Sequence, residues 1–340
     1  MFVIDTTGSM GGLIEAAKSK VWSIVNEVLR SPTRPKVKVG LVAYRDLGDA
    51  YVTKITPISS DLDTIYTTLM NFKAEGGGDT PENVRQALLD GVRNAGWSAR
   101  EAHTAQILFL VGDAPPHEDY KNLPSCQTTA GEAVKKGLIV NAIECGEDPI
   151  AKTAWQEIAR LGEGQFFAIE QNGGVKEIVT PYDSELSKLS YQIGSSYSAY
   201  GRKAYRASQG GSQMATEFKV RSEASGGAQA DRALNKALNR DAYKDDLVQD
   251  VTNGIIKLKS VKKEELPDDL QKLSPEALVN EVSKRAKNRK ELSTKILELT
   301  QKRDTFLKEA KKKQGGSKNG FDDVVSQALK KQIARKDVKM

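Results

Sequence analysis

Oxygen-bearing side chains gather close to the amino terminus. Directly after the apolar residues 1–4, the chain continues Asp5-Thr6-Thr7-Gly8-Ser9. Asp5, Thr7 and Ser9 alternate in sequence, so a turn at the carboxyl end of a strand can direct one carboxylate and two hydroxyls inward. Hard oxygen ligands of this kind suit Mg²⁺, and also Mn²⁺ or Ca²⁺. The segment therefore predicts part of a divalent-cation site.

Two later segments carry further oxygen ligands. Residues 76–82 form a glycine-rich segment that opens a helical pattern, and Asp113 ends an apolar run. In a doubly wound sheet such loops meet at the topological switch point, where these folds bind ligands. The predicted metal ligands are Asp5, Thr7, Ser9, Asp79, Thr80 and Asp113, with the second-loop ligand left open between Asp79 and Thr80.

Each of these residues also has a purely structural interpretation. Asp5 can be a helix N-cap, and so can Asp79 or Thr80. Asp113 can start a turn, because it precedes Ala-Pro-Pro. A single coincidence would favour the structural interpretation, but three oxygen-rich loops at one sheet edge favour the metal site.

The elements that must position these loops alternate between short apolar runs and helical patterns. The pattern predicts strands at 1–5, 37–43, 51–55, 107–111, 138–144 and 165–169, and helices at 12–30, 62–72, 81–94, 129–136, 149–161 and from 176 to about 200. Such alternation is typical of a parallel sheet with right-handed crossovers. The second and third strands are too close in sequence for a crossover, so they should form an antiparallel edge pair. The predicted fold is a doubly wound α/β sheet.

The rest of the chain differs in composition. Residues 201–229 are rich in Gly, Ser, Ala and Gln, which predicts a flexible linker between a first domain at 1–200 and a basic helical region at 230–340. Helical patterns cover 230–258, 275–313 and 321–335. Because Arg289 and Arg303 interrupt the apolar seam of the second helix, the pattern favours a helical hairpin over a long coiled coil. Self-association through this helical region is a further expectation.

The candidate residues resemble the metal-ion-dependent adhesion site of von Willebrand factor A domains. Asp5-Thr6-Thr7-Gly8-Ser9 is similar to that family's Asp-x-Ser/Thr-x-Ser motif, and Asp113 matches its aspartate after the fourth strand. In the second loop Asp79 stands where the family has threonine, and Thr80 comes one residue later. The glycine-rich loop followed by Pro81-Glu82 looks more like bacterial members than like integrin inserted domains.

This resemblance covers about residues 1–175 and implies both fold and function. It implies a Rossmann-like doubly wound sheet that holds Mg²⁺, or Mn²⁺ or Ca²⁺, at the three loops. Thr7 and Ser9 would bind the cation directly, and one coordination position would stay open for an Asp or Glu carboxylate of a partner protein. The implied activity is adhesion or assembly, without catalysis.

Enzyme chemistries fit the same residues less well. A haloacid-dehalogenase phosphotransferase needs a second Asp where Thr7 stands, and residues 8–12 lack the lysine of a phosphate-binding P-loop. The glycine spacing of a dinucleotide site is absent, and a nucleophile elbow needs glycine at position 7. His117 follows the third loop and is expected to line the rim of the metal site. The sequence predicts a binding module and no enzyme.

The net charge of +6 is unevenly distributed. Residues 271–340 hold ten more Lys and Arg than Asp and Glu, with Phe306 and Phe321 as their only aromatic residues. Base stacking therefore has little to use, and we expect no specific nucleic-acid binding. No apolar run is long enough to predict a membrane span.

The two cysteines bear on the cellular compartment. Cys126 and Cys145 are expected on the same side of the sheet, within reach of a disulfide. A bridge would favour a periplasmic or secreted protein whose signal segment precedes residue 1. The alternative is two unrelated buried thiols in a cytosolic protein.

Overall fold

The computed structural model describes residues 1–31, 35–78, 80–99, 101, 103–313 and 320–335. They form two compact units. Unit 1 comprises Met1–Lys176 together with the end of the chain from Ser317, and unit 2 comprises Glu177–Gly316. The predicted boundaries at residues 200 and 230 differ from this division, because the chain leaves unit 1 soon after its last strand and returns to it for a final helix.

Unit 1 contains a six-stranded sheet. Its strands are β1 (Phe2–Asp5), β2 (Val39–Tyr44), β3 (Thr53–Ser59), β4 (Ile107–Gly112), β5 (Ile139–Cys145) and β6 (Glu163–Ile169). Their spatial order is β3-β2-β1-β4-β5-β6, and all neighbours are parallel except the antiparallel edge pair β2 and β3. The predicted doubly wound fold and its antiparallel edge are confirmed.

Eleven α-helices accompany the sheet in the described ranges. Unit 1 has α1 (Gly11–Leu29), α2 (Leu62–Met70), α3 (Val84–Arg93), α4 (Cys126–Lys135), α5 (Pro149–Leu161) and α11 (Phe321–Ala334). Unit 2 has α6 (Asp183–Ser195), α7 (Lys203–Glu223), α8 (Gly226–Leu238), α9 (Leu247–Thr252) and α10 (Pro275–Lys313).

The central strands are buried along their whole length. Every residue of β1, β2, β4 and β5 is buried, as expected for parallel strands that helices cover on both faces. On one face Val3, Leu108, Leu110 and Val140 join a core with α3, α4 and α5, centred on the fully buried Trp155. The rigid core fixes the carboxyl ends of β1 and β4, from which two of the candidate loops emerge.

The last helix of unit 1 comes from the far end of the chain. Helix α11 packs against α1, and the ring centroids of Phe321 and Phe2 lie 6.1 Å apart. The buried side-chain amides of Asn141 on β5 and Gln332 on α11 exchange two hydrogen bonds, at 3.0 and 2.6 Å. Unit 2 is thus inserted between β6 and the helix that closes unit 1.

The predicted flexible linker is a helix. Residues 203–223 form α7, and Glu217 near its end is only 2% exposed. Its carboxylate accepts hydrogen bonds from Arg232 and Lys236 of α8 at 2.7–2.9 Å. This buried ion cluster outweighs the low helix propensity of Gly210 and Gly211, whose neighbourhood is open.

The arginines in the seam of α10 also have acidic partners. Arg289 binds Asp246 at 2.7 and 2.9 Å, and Arg303 binds Asp183 and Asp231, both at 2.7 Å. The expected continuous helix over 230–258 ends instead at Leu238, and α9 begins after its Asp246 N-cap. Helix α10 packs against α6, α8 and α9, so the predicted helical hairpin is part of a small bundle.

Both cysteines are free and buried. Cys126 belongs to the core on the face of β5 that carries Val140 and Ala142. Cys145 is three positions beyond Ala142, so its side chain lies on the opposite face of the sheet. The expected disulfide is therefore wrong, because the sheet separates the two thiols. Within the described ranges, no helix is both long and apolar enough to cross a membrane.

Candidate functional site

The first candidate loop begins at the fully buried Asp5. Its Oδ1 atom accepts hydrogen bonds from the Thr7 backbone nitrogen at 2.8 Å and from the Thr7 hydroxyl at 2.7 Å. A turn of 3-10 helix, Gly8–Met10, then leads into α1. Arg45, directly after β2, is buried and donates to the Thr6 carbonyl at 3.2 Å. The loop is thereby fixed from its amino to its carboxyl end.

Glycines allow the second loop to approach the first. The Gly8 nitrogen donates to the Gly76 carbonyl at 3.1 Å. Gly77 has a φ of +75°, and a Cβ there would lie 3.0 Å from Thr7 Cβ and 3.2 Å from Glu82 Oε1. The Gly77 nitrogen also donates to both carboxylate oxygens of Asp49, at 3.2 and 3.1 Å. A side chain at position 77 would push the two loops apart.

The third loop is tied to the first by a glutamine that sequence reasoning missed. The Gln171 Nε2 atom, in the loop after β6, donates to Asp113 Oδ2 at 2.6 Å and to the Ser9 carbonyl at 3.3 Å. Ser9 is exposed, and Asp113 is half-buried. No sequence signal pointed to Gln171, because it lies 58 residues beyond Asp113.

Glu82 is a second residue of the site that sequence reasoning missed. It is 4% exposed, and its Oε2 atom has no hydrogen-bond partner among the described residues. Its backbone joins the second and third loops, since Glu82 N donates to the Pro115 carbonyl at 3.0 Å and Glu82 O accepts from His117 N at 3.1 Å. The Pro81-Glu82 pair was visible in the sequence, but its burial was not.

The electrostatics of the site are those of buried carboxyl groups without a cation to compensate them. Burial is the main reason that the pKa of Asp5 is raised to about 7; the Thr7 hydrogen bonds lower this pKa, and the charge of nearby Asp113 contributes to the rise. Burial, followed by the charge of Asp5 and other carboxylates, raises the pKa of Glu82 to about 9. Burial also raises the pKa of Tyr44, beside Asp5. Asp5 Oδ2, like Glu82 Oε2, is buried without a hydrogen-bond partner in the described part of the chain.

The donor set fits a divalent cation that is held by few carboxylates. Within the described residues no three His, Cys, Asp or Glu side chains are grouped closely enough to hold a metal ion by themselves. A cation here would therefore need hydroxyl oxygens and water in addition to carboxylates. Asp5 Oδ2, which lacks a hydrogen-bond partner among the described residues, can supply a carboxylate oxygen, and the adjoining Thr7 side chain can supply a hydroxyl oxygen.

The structure brings most of the predicted residues together. Asp5 and Thr7 are in direct contact, and Gln171 joins Asp113 to the backbone of Ser9. The charge of Asp113 is also close enough to contribute to the raised pKa of Asp5. Thr80 is exposed just before Pro81, and Asp79 lies outside the described residues. The choice between Asp79 and Thr80 stays open.

His117 lies at the edge of this region. Its ring stacks on Tyr120 with centroids 4.2 Å apart, and its Nδ1 atom is 2.8 Å from Asp119 Oδ1. Tyr120 donates to both oxygens of Asp46, at 2.7 and 2.6 Å. The imidazole is thus held by its neighbours beside the loops.

Comparison with known proteins matches residues 1–143 to the von Willebrand factor A domain family. Over 121 residues the chain is 41% identical to human von Willebrand factor A domain-containing protein 7, a match that spans 35% of this chain and 12% of that protein. It is 31% identical over 118 residues to a putative ariadne-like RING finger protein of Acanthamoeba polyphaga mimivirus, a match that covers 34% of this chain and 11% of that protein. The chain thus spans only about a ninth of the length of these relatives.

Two solved structures are similar to about half of this chain at low sequence identity. The conserved hypothetical protein BatB from Bacteroides thetaiotaomicron is 18% identical, with a TM-score of 0.37, over 50% of this chain and 88% of that one. Proximal thread matrix protein 1 from the mussel byssus, in a form with a zinc-occupied adhesion-site motif, is 17% identical with a TM-score of 0.38, over 50% of this chain and 43% of that one.

Proposed function

We infer that residues 1–143, which match the von Willebrand factor A family, belong to a domain of that family, and from that premise we propose that this chain is a metal-dependent protein-binding module. It captures a partner's carboxylate through a divalent cation held at the three loops. The observation that carries the proposal is the Asp5 carboxylate, which is fully buried with Oδ2 lacking a partner among the described residues. A buried anion of this kind is costly unless a cation compensates it.

The residues around Asp5 have separate tasks. The Thr7 hydroxyl directs its proton to Asp5 Oδ1, so its oxygen lone pairs remain available to a cation. Ser9 and Asp113 provide further oxygens from the first and third loops, with Asp79 or Thr80 from the second. Glu82 is a further buried carboxyl of this region, and with a pKa raised to about 9 it stays protonated at pH 7 until a cation compensates its charge. The cation itself supplies a positive centre that attracts an external anion.

Charge decides what the site captures. Because hydroxyls and water share the coordination with few carboxylates, the bound cation keeps net positive character. An Asp or Glu side chain of a partner protein is the matching ligand, which makes adhesion or assembly the proposed role. Mg²⁺ is the proposed native ion, and Mn²⁺ and Ca²⁺ suit the same oxygen donors.

We propose no catalytic role. The chain has two histidines, and His117, the one beside the loops, is engaged by Tyr120 and Asp119. Metal-dependent hydrolysis of a phosphate ester that is lost in His117→Ala would contradict this.

Assembly through the helical region is the second candidate. The seam that suggested it is used inside unit 2, where Val282, Ile296 and Arg303 of α10 are buried. Ligand capture at the three loops is therefore the favoured function. Sedimentation equilibrium of the full chain tests the alternative, which requires concentration-dependent dimers or larger species.

An extracytoplasmic location also stays a proposal. Because Cys126 and Cys145 are free thiols, a disulfide no longer supports this location.

Nucleic acid is not a proposed partner of this chain. Nucleic-acid binding tighter than about 1 µM at physiological salt would contradict this, because nonspecific binding is typically weaker.

Calorimetric titration with Mg²⁺ and Mn²⁺ tests the proposed function. The wild type should bind one ion, and Asp5→Asn and Asp113→Asn should abolish binding while the circular dichroism spectrum stays unchanged. Asp119→Asn is the matched control, since Asp119 is an exposed carboxylate at the rim, 2.8 Å from the His117 ring. Equal metal affinity in all four proteins would contradict the proposal. A partner captured from its native source should be released by chelator.

A further inference from the structure

Gln171 occupies an unusual place among the loops. Its Nε2 atom reaches Asp113 of the third loop at 2.6 Å and the Ser9 carbonyl of the first loop at 3.3 Å. Its Oε1 atom lies over Gly146, where the backbone has a φ of +91° and any Cβ would collide with the glutamine. One neutral side chain therefore contacts the loops that follow β1, β4 and β5.

The loop that carries Gln171 is held firmly. The Gly173 nitrogen donates to the Glu170 carbonyl at 2.8 Å, and the Gly173 carbonyl accepts from Phe321 of α11 at 2.9 Å. A Cβ on Gly173 would lie 2.7 Å from Ala16 Cβ, and a Cβ on Gly12 would lie 2.7 Å from Asn172 Cα. The loop is thus packed directly on α1. Its fixed backbone holds the Gln171 amide in position, although the side chain is exposed.

The chemistry of an amide at this position is specific. In the described part of the chain, the only hydrogen bond to the Asp113 carboxylate comes from Gln171, and it goes to Oδ2. That bond occupies one carboxylate oxygen and fixes the rotation of the group without adding charge. A Lys or Arg here would neutralise Asp113, and a Glu would repel it.

We infer that Gln171 is a positioning residue that restrains Asp113 so that a bound cation keeps its positive charge for the partner's carboxylate. This inference rests on the proposed function. With Oδ2 turned to the amide, Asp113 presents Oδ1 to the cation, and chelation of the cation by both oxygens would require the bond to Gln171 to break. Without the amide, both oxygens can turn to the cation, which strengthens metal binding and weakens capture of an outside anion. The two affinities therefore change in opposite directions.

Mn²⁺ and acetate are suitable probes for the full chain. Electron paramagnetic resonance measures Mn²⁺ binding, and water-proton relaxation counts the exchangeable waters on the bound ion. Acetate, a minimal stand-in for the partner's carboxylate, displaces one of these waters. Removing a group behind a metal ligand usually costs about 10-fold or more in metal affinity. In Gln171→Ala we expect the opposite sign for Mn²⁺, which should bind more tightly and with fewer waters, and acetate should bind more weakly.

Asn172→Ala is the matched control. It removes the Asn172 side-chain acceptor of the Gly174 nitrogen, a bond within the same loop that does not involve Asp113. The control should leave both affinities near the wild-type values. Parallel weakening of Mn²⁺ and acetate in Gln171→Ala, or no change in either, would overturn the inference while the proposed function stands. Failure of the wild type to bind Mn²⁺ would overturn the proposed function and the inference together.

Discussion

Both units bury carboxylates, and they treat them in opposite ways. In unit 2, Glu217 is surrounded by Arg232 and Lys236, and Arg303 binds Asp183. In unit 1, oxygen atoms of Asp5, Glu82 and Glu144 are buried with no hydrogen-bond partner in the described residues. The comparison separates two uses of buried charge. Charge that is paired inside the chain specifies the fold, and the unpaired carboxyl oxygens of Asp5 and Glu82 lie where we propose that a cation binds.

The energetic difference follows from desolvation. Removing one partner of a buried ion pair is strongly destabilising, since the remaining charge keeps its desolvation penalty without its attraction. Removing a carboxylate that lacks a cation relieves a penalty that was already present. The same kind of substitution should therefore have large effects in unit 2 and small effects on the metal-free fold of unit 1.

Glu217→Gln should produce the largest effect. The substitution takes the shared carboxylate from Arg232 and Lys236, both buried, and we expect the free energy of unfolding to fall by about 3–5 kcal/mol in urea titrations. Glu223→Gln, on the same helix, removes only the exposed pair with Lys219 and should cost about 0.5 kcal/mol or less. Similar losses of unfolding free energy in the two variants would contradict the view that the buried ion pairs of unit 2 hold its fold together.

Asp5→Asn should change binding far more than folding. The amide keeps the acceptor for Thr7, so the metal-free free energy of unfolding should stay within about 1 kcal/mol of the wild type. Mg²⁺ at 100 times its dissociation constant should stabilise the wild type by about 2.7 kcal/mol and the variant not at all. Chemical denaturation with Mg²⁺ and with chelator measures both quantities. A loss of 3 kcal/mol or more without metal would show that Asp5 is paired as Glu217 is.

Glu144→Gln isolates the cost of an unpaired carboxylate away from the three loops. Both Glu144 oxygens lack partners, and burial raises its pKa, with a smaller lowering effect from Lys152 and raising effects from Asp148 and Glu147. The folded state therefore holds this proton more tightly than the unfolded state. The stability that this gives is complete below pH 4.5 and is lost as the pH rises through the folded-state pKa.

Stability curves at two pH values test this expectation for Glu144→Gln. At pH 8 the variant should be more stable than the wild type by about 1 kcal/mol, because a neutral amide replaces a buried charge. The two proteins should converge near pH 4. A variant that is less stable than the wild type at pH 8 would mean that the carboxylate is compensated.

Thiol labelling gives the smallest expected signal. Cys126 and Cys145 are 0% and 1% exposed, and burial raises the pKa of Cys126 to about 12. Neither should react with a thiol reagent in the native protein, and both should react in denaturant. Because both cysteines belong to unit 1, labelling of Asp5→Asn checks that this unit stays folded. Rapid labelling of the native wild type would contradict the described burial.

The elements were predictable wherever their signal is local. The buried strands β1 and β4 are mainly apolar runs, and Asn141 and Glu144 alone interrupt the apolar pattern of β5, so the positions of these strands were predicted to within about two residues. The candidate metal motif could be predicted because Asp5, Thr7 and Ser9 lie within five consecutive residues. Its placement beside Asp113 followed from the topology of a doubly wound sheet alone.

Features that depend on distant partners were not predictable. Glu82 is buried because its backbone joins the loop after β4, and Gln171 reaches Asp113 from the loop after β6. Residues 203–223 have the composition of a linker, and they form a helix because Glu217 meets two cations of α8. In each case the deciding contact joins segments that no local pattern connects.

The position of α11 sets the order in which the chain can fold during synthesis. The pairing of Asn141 on β5 with Gln332 on α11 spans 191 residues. The whole of unit 2, about 140 residues, lies between these two elements in the sequence. About 150 residues separate the end of β6 from the start of α11, so at a translation rate of roughly 5–20 residues per second β6 leaves the ribosome about 8–30 s before α11 does. During that interval the α1 surface that α11 covers stays open, while the helices of unit 2 emerge one after another and are all available to their partners before α11. Unit 1 is therefore begun first and completed last.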